Sequence, residues 1–316
     1  MRSEEDPHAV NFLIDEQGPD PRSGRVRADL PSIVWNGGMA AAALIAGPFF
    51  VTPSAILLFF VTTGGALLLG HSVGYHRMMI HGSFKASRWL ERTLVWFGAF
   101  VGMAGPYGII RAHDTRDWAQ RQADCHPFLA HKTHIVRDAW WQIYCRLDLD
   151  RPPRFDFGGL SHDPFYRWLE ATWRWQQLPV ALVFFAIGGW SWVVWGVAAR
   201  VAVANHGHWL VGHLAHNRGP QHWTVDAHGV QAFDVPWAAI PTMGEAWHNN
   251  HHAYPGSARI GLHPGQSDWG YAFIRLCEGV GLISHVQTPA TLGVRNGLSP
   301  VRNDAMLPAV LAGTVR

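Results

Sequence analysis

The stretch Pro53-Ser-Ala-Ile-Leu-Leu-Phe-Phe-Val-Thr-Thr-Gly-Gly-Ala-Leu-Leu-Leu-Gly70 carries no charged side chain, and it runs directly into the histidine-rich segment His71-Ser-Val-Gly-Tyr-His76-Arg-Met-Met-Ile-His81. A helix that crosses a bilayer needs about 20 predominantly apolar residues, with a range of about 17–25. The stretch therefore predicts a membrane-spanning helix that ends in histidines at one face of the membrane.

A second apolar run precedes this helix. The segment Pro31–Gly47 is uncharged, and Pro48 and Pro53 bracket a short turn between the two runs. Two adjacent segments of this kind predict a membrane hairpin with spans over residues 32–51 and 53–71. A pair of buried helices in a soluble protein is the alternative interpretation.

A further apolar block covers Leu178–Ala199 and contains the pair Gly188-Gly189. Because glycine pairs mark turns, the block predicts a second hairpin that turns between Gly188 and Trp192. Its arms would be spans over residues 177–190 and 192–208. The alternative is a single long span followed by a helix on the membrane surface.

The distribution of basic residues predicts the orientation. Both expected outer turns lack Lys and Arg, whereas the first thirty residues and the segments that follow the first hairpin contain many. Positively charged loops remain in the cytoplasm. We therefore expect an all-α, multi-pass membrane protein with four transmembrane helices in two hairpins and a cytoplasmic helical cap that holds the histidines. The expected parts are a mobile cytoplasmic leader over 1–30, a membrane domain over 31–285 whose cap comprises 72–176 and 213–285, and a C-terminal tail over 286–316.

The composition agrees with a membrane protein and excludes several other classes. Only 15% of the residues are charged, against roughly 25% in ordinary soluble domains. The 17 tryptophans suit membrane interfaces, where amphipathic rings collect. A net charge of +2 with scattered basic residues argues against nucleic-acid binding. The three cysteines do not form a disulfide framework, and the first thirty residues lack the apolar run of a secretion signal.

A histidine-rich stretch near the end of the chain predicts a metal site. The segment Gly244-Glu-Ala-Trp-His-Asn-Asn-His-His-Ala-Tyr-Pro255 places His248, His251 and His252 within five residues. On a helix, offsets of three and four share one face, so the imidazole of His248 can lie beside the other two. Imidazole is a ligand of Fe, Zn, Cu and Ni. A run of surface histidines is the alternative interpretation.

The pair His76 and His81 has a less favourable spacing. Five residues turn an α-helix by about 140°, so these side chains do not share one face of a continuous α-helix. We expect them to converge only if the helix ends or unwinds between them, where it leaves the membrane.

In these segments the sequence resembles the integral-membrane fatty acid (acyl-CoA) desaturases. The residues His76-Arg-Met-Met-Ile-His81 are similar to that family's first histidine box, HRxxxH, and Glu245–Pro255 is similar to its third box, HxxHH. His216 matches a further histidine that the family carries after its last span. The resemblance covers roughly residues 30–285 and implies four membrane helices with a cytoplasmic helical domain that holds two irons.

The middle box departs from the family pattern HxxHH, because this chain reads His113-Asp-Thr-Arg116-Asp117. Asp117 can replace one imidazole, since iron oxygenases accept mixed histidine and carboxylate ligands. Arg116 cannot bind a cation, and we expect it to pair with Asp114, Asp117 or Asp124. The Asn that the family usually has four residues before His216 is Gly212 here.

The metal ligands that the resemblance implies are His76, His81, His113, Asp117, His216, His248, His251 and His252. Residues expected to orient or support these ligands are Arg116, Asp124, His126, His213 and Glu245. Two irons with a substituted ligand set, a single iron, and an altered site are all open, and His126, His213 or His71 could complete the ligands.

The implied activity is the introduction of a double bond into a fatty acyl chain with dioxygen. The substrate would be linked to CoA, a carrier protein or a lipid. Electrons would come from a separate donor such as ferredoxin, or a cytochrome with its reductase, because no such module is recognisable in the sequence. The alternatives are a related membrane di-iron hydroxylase or oxygenase, and a non-catalytic protein that binds lipid or metal. A zinc hydrolase is disfavoured, because the sequence has no HExxH motif.

Overall fold

The computed structural model describes residues 12–14, 18–293 and 295–301 of the 316-residue chain. This part is mostly helical, as expected. The helices are α1 (Leu30–Phe50), α2 (Pro53–Ile80), α3 (Arg88–Val101), α4 (Pro106–Arg121), α5 (Pro127–Ala130), α6 (Ile135–Tyr144), α7 (Pro164–Thr172), α8 (Gln177–Ala215), α9 (His248–Ala253), α10 (Trp269–Gly279) and α11 (Pro289–Leu292). Short 3₁₀ turns cover Gly158–Ser161 and Pro236–Ala238.

Among the described residues, three helices are long and apolar enough to cross a membrane: α1, α2 and α8. The pair α3 and α4, bent by 77°, becomes a fourth candidate if it is counted as one span. The outward faces of the three long helices are apolar, with Phe49 83% exposed on α1, Phe60 66% exposed on α2 and Leu182 71% exposed on α8. Because water would disfavour such faces and lipid would not, the protein is a membrane protein.

The turn between α1 and α2 is specified by local sequence. Thr52 caps α2, since its hydroxyl accepts a hydrogen bond from the backbone N of Ala55 at 3.2 Å. Pro53 occupies the first turn of the helix, where its missing N–H costs nothing. The two helices are therefore separate elements within the predicted hairpin.

Helix α8 is interrupted at Gly189, which has φ 62° and ψ −155°. This backbone conformation requires glycine, and the break falls within the predicted turn. The two arms, 177–188 and 190–215, pack against each other, and a Cβ on Gly196 would lie 2.7 Å from the ring of Phe184. The second arm also reaches the first hairpin, because Nε1 of Trp192 donates to Oγ of Ser54 at 3.1 Å.

Helix α2 changes character along its length. It is α-helical over Pro53–Gly65 and π-helical over Ala66–Ile80. The π-helical half packs closely on α3, because a Cβ on Gly70 would lie 2.2 Å from the carbonyl O of Phe97. A Cβ on Gly74 would similarly lie 2.5 Å from the carbonyl O of Leu94. The contact between these two helices therefore depends on glycine.

The segment that the sequence predicted to be a mobile leader contains a strand among its described residues. Strand β2 (Asp20–Ala28) pairs with strand β4 (Cys145–Arg151) in an antiparallel ribbon. Val26, which lies opposite Leu147, packs with that residue against the core around Trp118. The polar composition concealed this strand, because one apolar side chain facing the core is enough to attach the ribbon. Residues 1–11 and 15–17 lie outside the described residues.

Three more antiparallel ribbons occur in the described ranges, and the all-α expectation did not include them. They are β1 (Leu13–Ile14) with β5 (Arg154–Phe155), β3 (Lys85–Ala86) with β7 (Ile283–Ser284), and β6 (Trp223–Val225) with β8 (Leu298–Pro300). The main core beneath them joins α2, α3, α4, α7 and α10 through buried side chains such as Val73, Leu94, Ile110, Leu169 and Ile274. Strand β8 lies in the expected C-terminal tail, whose residues 302–316 are outside the described part.

Candidate metal centre

Four histidines from three parts of the chain form a first cluster. These are His76 on α2, His81 directly after it, His113 on α4 and His251 on α9. One ring nitrogen from each lies within 4.8 Å of the others. Nε2 of His76 and Nε2 of His251 lie 3.2 Å apart. His71 lies beside this cluster, with its ring 6.3 Å from that of His76.

The π-helical turn at the end of α2 explains how His76 and His81 converge. A π-helix has hydrogen bonds from residue i+5 to residue i, so residues five apart lie one turn apart. The backbone N of His81 donates to the carbonyl O of His76 at 3.1 Å, and the two rings lie 4.8 Å apart. Residues five apart do not share a face of an α-helix, but they do meet here because the helix is widened to a π-helix. The helix does not end between the two residues.

A second cluster contains His216, His248 and His252. Nε2 of His248 lies 3.2 Å from Nε2 of His216 and 3.1 Å from Nε2 of His252. His216 directly follows α8, whereas the other two lie on α9. The second apolar block therefore delivers one imidazole to this cluster in the same way that α2 delivers two to the first.

The short helix α9 divides its three histidines between the clusters. His248 and His252 are four residues apart and share one face, with their rings 4.5 Å apart. His251 lies about 100° around the helix from His252, so its ring faces the first cluster. The sequence predicted that all three would lie together, but the helix presents them to two neighbouring sites.

Buried polar contacts fix the position of α9. The side chain of Asn249 accepts hydrogen bonds from the backbone N of His222 and of Trp223, at 2.8 and 2.9 Å. The backbone N of Asn249 donates to Oδ1 of Asp234 at 2.9 Å. On the next residue, Nδ2 of Asn250 donates to the carbonyl O of Ile260 at 2.9 Å. The two asparagines between the histidines thus attach the helix to the surrounding loops.

Glu245 lies where it can orient His76, the role that the sequence suggested. Its Oε2 is 2.6 Å from Nδ1 of His76, and its Oε1 accepts hydrogen bonds from Oγ of Ser72 and Nε of Arg77, at 2.5 and 3.0 Å. Burial opposes the ionisation of Glu245, but His76 and Arg77 outweigh it and hold the pKa of the carboxyl below its usual range. The carboxylate therefore remains charged beside the imidazole.

Asp117 faces Arg121 one turn further along α4. Nη2 of Arg121 donates to Oδ2 of Asp117 at 2.6 Å. Burial raises the pKa of Asp117, but Arg121 and the imidazoles of His252 and His113 outweigh burial and keep it below the usual range. These imidazoles belong to different clusters, whereas Asp117 itself is in neither group of ligand atoms among the described residues.

Most of the chain is similar to known desaturases, although no family model matches the sequence. It is 31% identical over 297 residues to the sn-2 palmitoyl-lipid 9-desaturase of Nostoc sp., covering 91% of this chain and 99% of that protein. The chain belongs to the fatty acid desaturase family. It is also 34% identical over 219 residues to the sn-1 stearoyl-lipid 9-desaturase of Anabaena variabilis, covering 69% and 79% of the two chains. An acyl-CoA 5-desaturase of Anemone leveillei is 31% identical over 278 residues, covering 84% and 82%.

These relatives identify the protein as an oxidoreductase, a fatty acid desaturase of lipid metabolism. In this desaturase the middle box is arranged differently from our expectation. Arg116 pairs with none of the expected aspartates among the described residues. Instead, its Nη2 donates to Oε1 of Gln142 on α6 at 2.6 Å. The guanidinium therefore contacts a neutral acceptor on the neighbouring helix in place of the carboxylates that its charge suggested.

Two other residues of the desaturase lie apart from the clusters. His126 caps α5, since its Nδ1 accepts a hydrogen bond from the backbone N of Phe128 at 3.1 Å. Asp124 is exposed. Neither belongs to a histidine cluster of the described residues, although the sequence suggested that both support the ligands.

A third buried group includes residues that sequence reasoning missed. Oδ2 of Asp138 accepts hydrogen bonds from Nδ1 of His131, Nδ1 of His213 and Nε1 of Trp209, each at 2.9 Å. His213 was expected to support the ligands, but His131 and Asp138 follow no histidine-box spacing. The sequence alone does not show that these two histidines and this carboxylate meet, and only their positions in space reveal the group.

The clusters of the desaturase fit a bound metal cation. Among the described residues, Nε2 of His81 is buried without a hydrogen-bond partner. In both clusters Nε2 atoms of neighbouring imidazoles converge, as in the pairs His76–His251 and His216–His248. Buried polar atoms in native proteins almost always have a partner, and a metal would provide one for imidazole nitrogens. The donor set of imidazoles with a carboxylate nearby suits iron.

The protonation of the imidazoles agrees with this fit. Burial, assisted by the imidazoles of His76 and His113, lowers the pKa of His248 to about 3. Burial likewise holds the pKa of His251 and of His252 well below the ordinary value. These rings are neutral near pH 7, and neutral imidazole is the form that binds metals.

Proposed function

We propose that this desaturase binds two irons, one at each histidine cluster, and uses them to introduce a double bond into a fatty acyl chain. The observation that carries this proposal is the meeting of seven imidazoles, from segments far apart in the sequence, in two neighbouring groups. When bound, iron would supply the power to activate dioxygen, which no side chain has. In the balanced reaction, two neighbouring methylenes lose two hydrogen atoms, one dioxygen takes up these with two electrons and two protons, and two waters form.

The residues of the chain have distinct roles in this proposal. His76, His81, His113 and His251 hold one iron, and His216, His248 and His252 hold the other. Asp117, whose pKa is lowered despite burial by Arg121 and by an imidazole of each cluster, contributes a carboxylate ligand. Glu245 fixes the ring of His76 through Nδ1, which leaves Nε2 for the metal. Carboxylates that contact ligand imidazoles in this way fix ring orientation and increase the basicity of the ligand.

The proposed substrate is a fatty acyl chain linked to a lipid or to CoA. The relatives in Nostoc and Anabaena are named for acyl-lipid substrates and the relative in Anemone for acyl-CoA, so both carriers suit the family. The two electrons come from a separate donor, such as ferredoxin or a cytochrome with its reductase. The basic residues of the cap suit an acidic partner of this kind.

We also propose four membrane crossings, in two hairpins, with the metal centre on the cytoplasmic side. The break at Gly189 and the packing of the two arms of α8 support two crossings for that segment. Its 39 residues would extend about 58 Å as one straight helix, roughly twice the thickness of the hydrocarbon core. The scarcity of Lys and Arg in both outer turns supports the orientation.

Expression in a host that lacks this activity, followed by fatty-acid profiling with mass spectrometry, tests the proposed function. We expect a new acyl product that has lost two hydrogens, and we expect its loss in the His251→Ala variant. The exposed His162, which lies outside the clusters, provides the matched control His162→Ala.

The same experiment distinguishes the alternatives. A product that has gained one oxygen identifies a hydroxylase in place of a desaturase. Purified protein that contains no iron, or that contains iron but consumes no oxygen, identifies a non-catalytic protein that binds lipid or metal.

A further inference from the structure

The two histidine clusters have unequal numbers of imidazoles. The first contains four and the second contains three. Arg116, which occupies a histidine position of the middle box, does not fill the gap, because its guanidinium cannot bind a cation and is directed to Gln142. Any fourth imidazole of the second cluster therefore comes from outside the boxes.

His131 lies next to the second cluster and is attached to it. Its side chain is 3% exposed, and its ring is nearly parallel to that of His216, with 5.5 Å between the ring centres. Two hydrogen bonds tie the His131 loop to the end of α8: Nζ of Lys132 donates to the carbonyl O of His216 at 2.8 Å, and Nδ2 of Asn217 donates to the carbonyl O of His131 at 3.0 Å. The ring is therefore held beside a member of the cluster.

Asp138 determines which nitrogen of His131 is free. Nδ1 of His131 donates to Oδ2 of Asp138 at 2.9 Å, so the proton is on Nδ1 and the lone pair is on Nε2. Metal-binding histidines commonly donate their other ring N–H to a carboxylate in this way. Nε2 of His131 makes no hydrogen bond to any of the described residues.

The space next to this nitrogen is kept open by Gly212. A Cβ on Gly212 would lie 3.7 Å from Nε2 of His131, so a longer side chain there would compete for the position beside this nitrogen. Gly212 lies one helical turn before His216 on the same side of α8. Because Gly212 has no side chain, the space beside Nε2 of His131 stays open on the side of α8 that carries His216.

We propose that His131, oriented by Asp138, supplies the additional imidazole of the second metal site in place of the missing middle-box histidine. This inference rests on the proposed function, since it assumes that the second cluster binds iron. It adds to that function a ligand from a part of the chain outside all of the histidine boxes.

A separate metal held by His131, Asp138 and His213 is the competing arrangement, because their ligand atoms also lie within 4.8 Å of one another. However, Oδ2 of Asp138 already accepts three N–H groups, and one of them belongs to Trp209, whose indole cannot bind a metal. This carboxylate is satisfied by hydrogen bonds alone, which favours the orienting role.

The test is the amount and environment of iron in the purified desaturase after anaerobic loading with ferrous iron. We expect two irons per chain in the wild type and about one in His131→Ala, with the Mössbauer signal of the remaining iron unchanged. Added imidazole should restore the second iron, since it can occupy the space left by the ring. His206→Ala, a change at a half-buried histidine on α8 outside both clusters, should retain two irons.

Asp138→Asn is the second variant, because it keeps the shape of the side chain but removes the charge. We expect it to weaken iron binding at the second site by about 10–100-fold, the usual effect of losing a partner of a ligand. If His131→Ala loses all iron through misfolding, the decision passes to this variant, and unchanged affinity would then reject the inference.

Other outcomes separate the inference from the proposed function. Two irons with an unchanged spectrum in His131→Ala would overturn the ligand role, and a third iron in the wild type would assign His131 to a separate site. A single iron in an active wild type would reject the inference and leave desaturation standing. A wild type with neither iron nor desaturation would reject both.

Discussion

At the scale of single residues, the carboxylate of Glu245 links an imidazole of the first cluster to a buried guanidinium. Glu245 contacts both the imidazole of His76 and the guanidinium of Arg77, which is also paired with Asp268 at 2.8 Å. Arg77 is 1% exposed, so its buried positive charge is compensated by these carboxylate partners. Removal of one partner from a buried pair leaves an uncompensated charge, which is a large cost.

Glu245→Gln is therefore expected to weaken iron binding by about 10–100-fold, because the ring of His76 loses the group that orients it. The measurement is iron affinity by competition with a chelator, together with desaturation in cells. Glu278→Gln is the matched control, since Glu278 pairs with Arg275 at the surface of α10. Equal iron affinity in Glu245→Gln and wild type would contradict the orienting role.

The carboxylate of Asp117 gives a second prediction. Asp117→Asn removes the carboxylate that we propose as a ligand, and we expect the rate of desaturation to fall by about tenfold or more, with less iron per chain. Asp148→Asn provides a control, because Asp148 also pairs with arginines but lies at the surface. Full activity in Asp117→Asn would show that Asp117 is not a ligand.

Asp234 gives a prediction about pH. Burial raises the pKa of this carboxyl to about 7 in the folded protein, whereas an unfolded chain has a value of about 3.9. The folded state therefore retains a proton that the unfolded state loses. Stability from this group is fully present below about pH 4, decreases as pH rises, and is lost above about pH 7.

Asp234→Asn mimics the protonated form. The melting temperature of the variant, relative to that of the wild type, should therefore increase as pH rises from about 4 to about 7. The comparison uses metal-free protein in detergent, which removes the pH dependence of metal binding. The exposed Asp150 supplies the control Asp150→Asn, for which no such change is expected. If the difference in melting temperature between Asp234→Asn and the wild type stays constant across this pH range, the claim that folding raises the pKa of Asp234 is wrong.

At the scale of elements, the metal centre depends on the contact between α2 and α3. The π-helical half of α2 brings His76 and His81 together, and Gly70 and Gly74 let α3 approach it. Without glycine at these positions the two helices could not pack at this distance. The geometry of the first cluster thus depends on backbone packing within about two helical turns of His76.

Gly70→Ala is expected to destabilise the protein by about 1–3 kcal/mol, because the new Cβ would overlap the backbone of α3. Gly65→Ala is the matched control on the same helix, since a Cβ there meets nothing within 4 Å. That change should be neutral or stabilise by up to about 1 kcal/mol through helix propensity. Thermal unfolding in detergent and iron content measure both variants, and equal stability of the two would reject the packing argument.

At the scale of the whole molecule, the topology leads to a labelling prediction. We replace the native cysteines with serine and introduce single cysteines at Val51, between α1 and α2, at Trp190, after the break in α8, and at Asp150 on β4. The first two positions are 52% and 59% exposed. We expect a membrane-impermeant maleimide to label them on intact cells, and to label position 150 only after permeabilisation.

Labelling of position 150 on intact cells would reverse the proposed orientation. Protection of position 190 before and after permeabilisation would instead indicate that α8 does not turn at an outer surface. The variant in which all native cysteines are replaced with serine, and to which no new cysteine is added, serves as the background for each measurement.

Local sequence was sufficient to predict the long apolar helices and the first and third histidine boxes. A long uncharged run can satisfy its backbone hydrogen bonds in lipid only as a helix, so length and composition are enough. Clustered imidazoles near the ends of such runs, within segments that resemble a known family, pointed to a metal centre. The ligand assignments remain predictions, but the structure brings seven of the eight residues into two groups.

Only the tertiary structure decided how those groups are built. The division of α9 between two clusters, the widening of α2 that joins His76 and His81, and the turn of Arg116 toward Gln142 depend on packing between distant segments. His131 and Asp138 meet His213 across 75 or more residues of chain, and no spacing rule links them. The reason is physical: an apolar run or a helical offset acts through neighbours in the chain, whereas a metal site is made by neighbours in space.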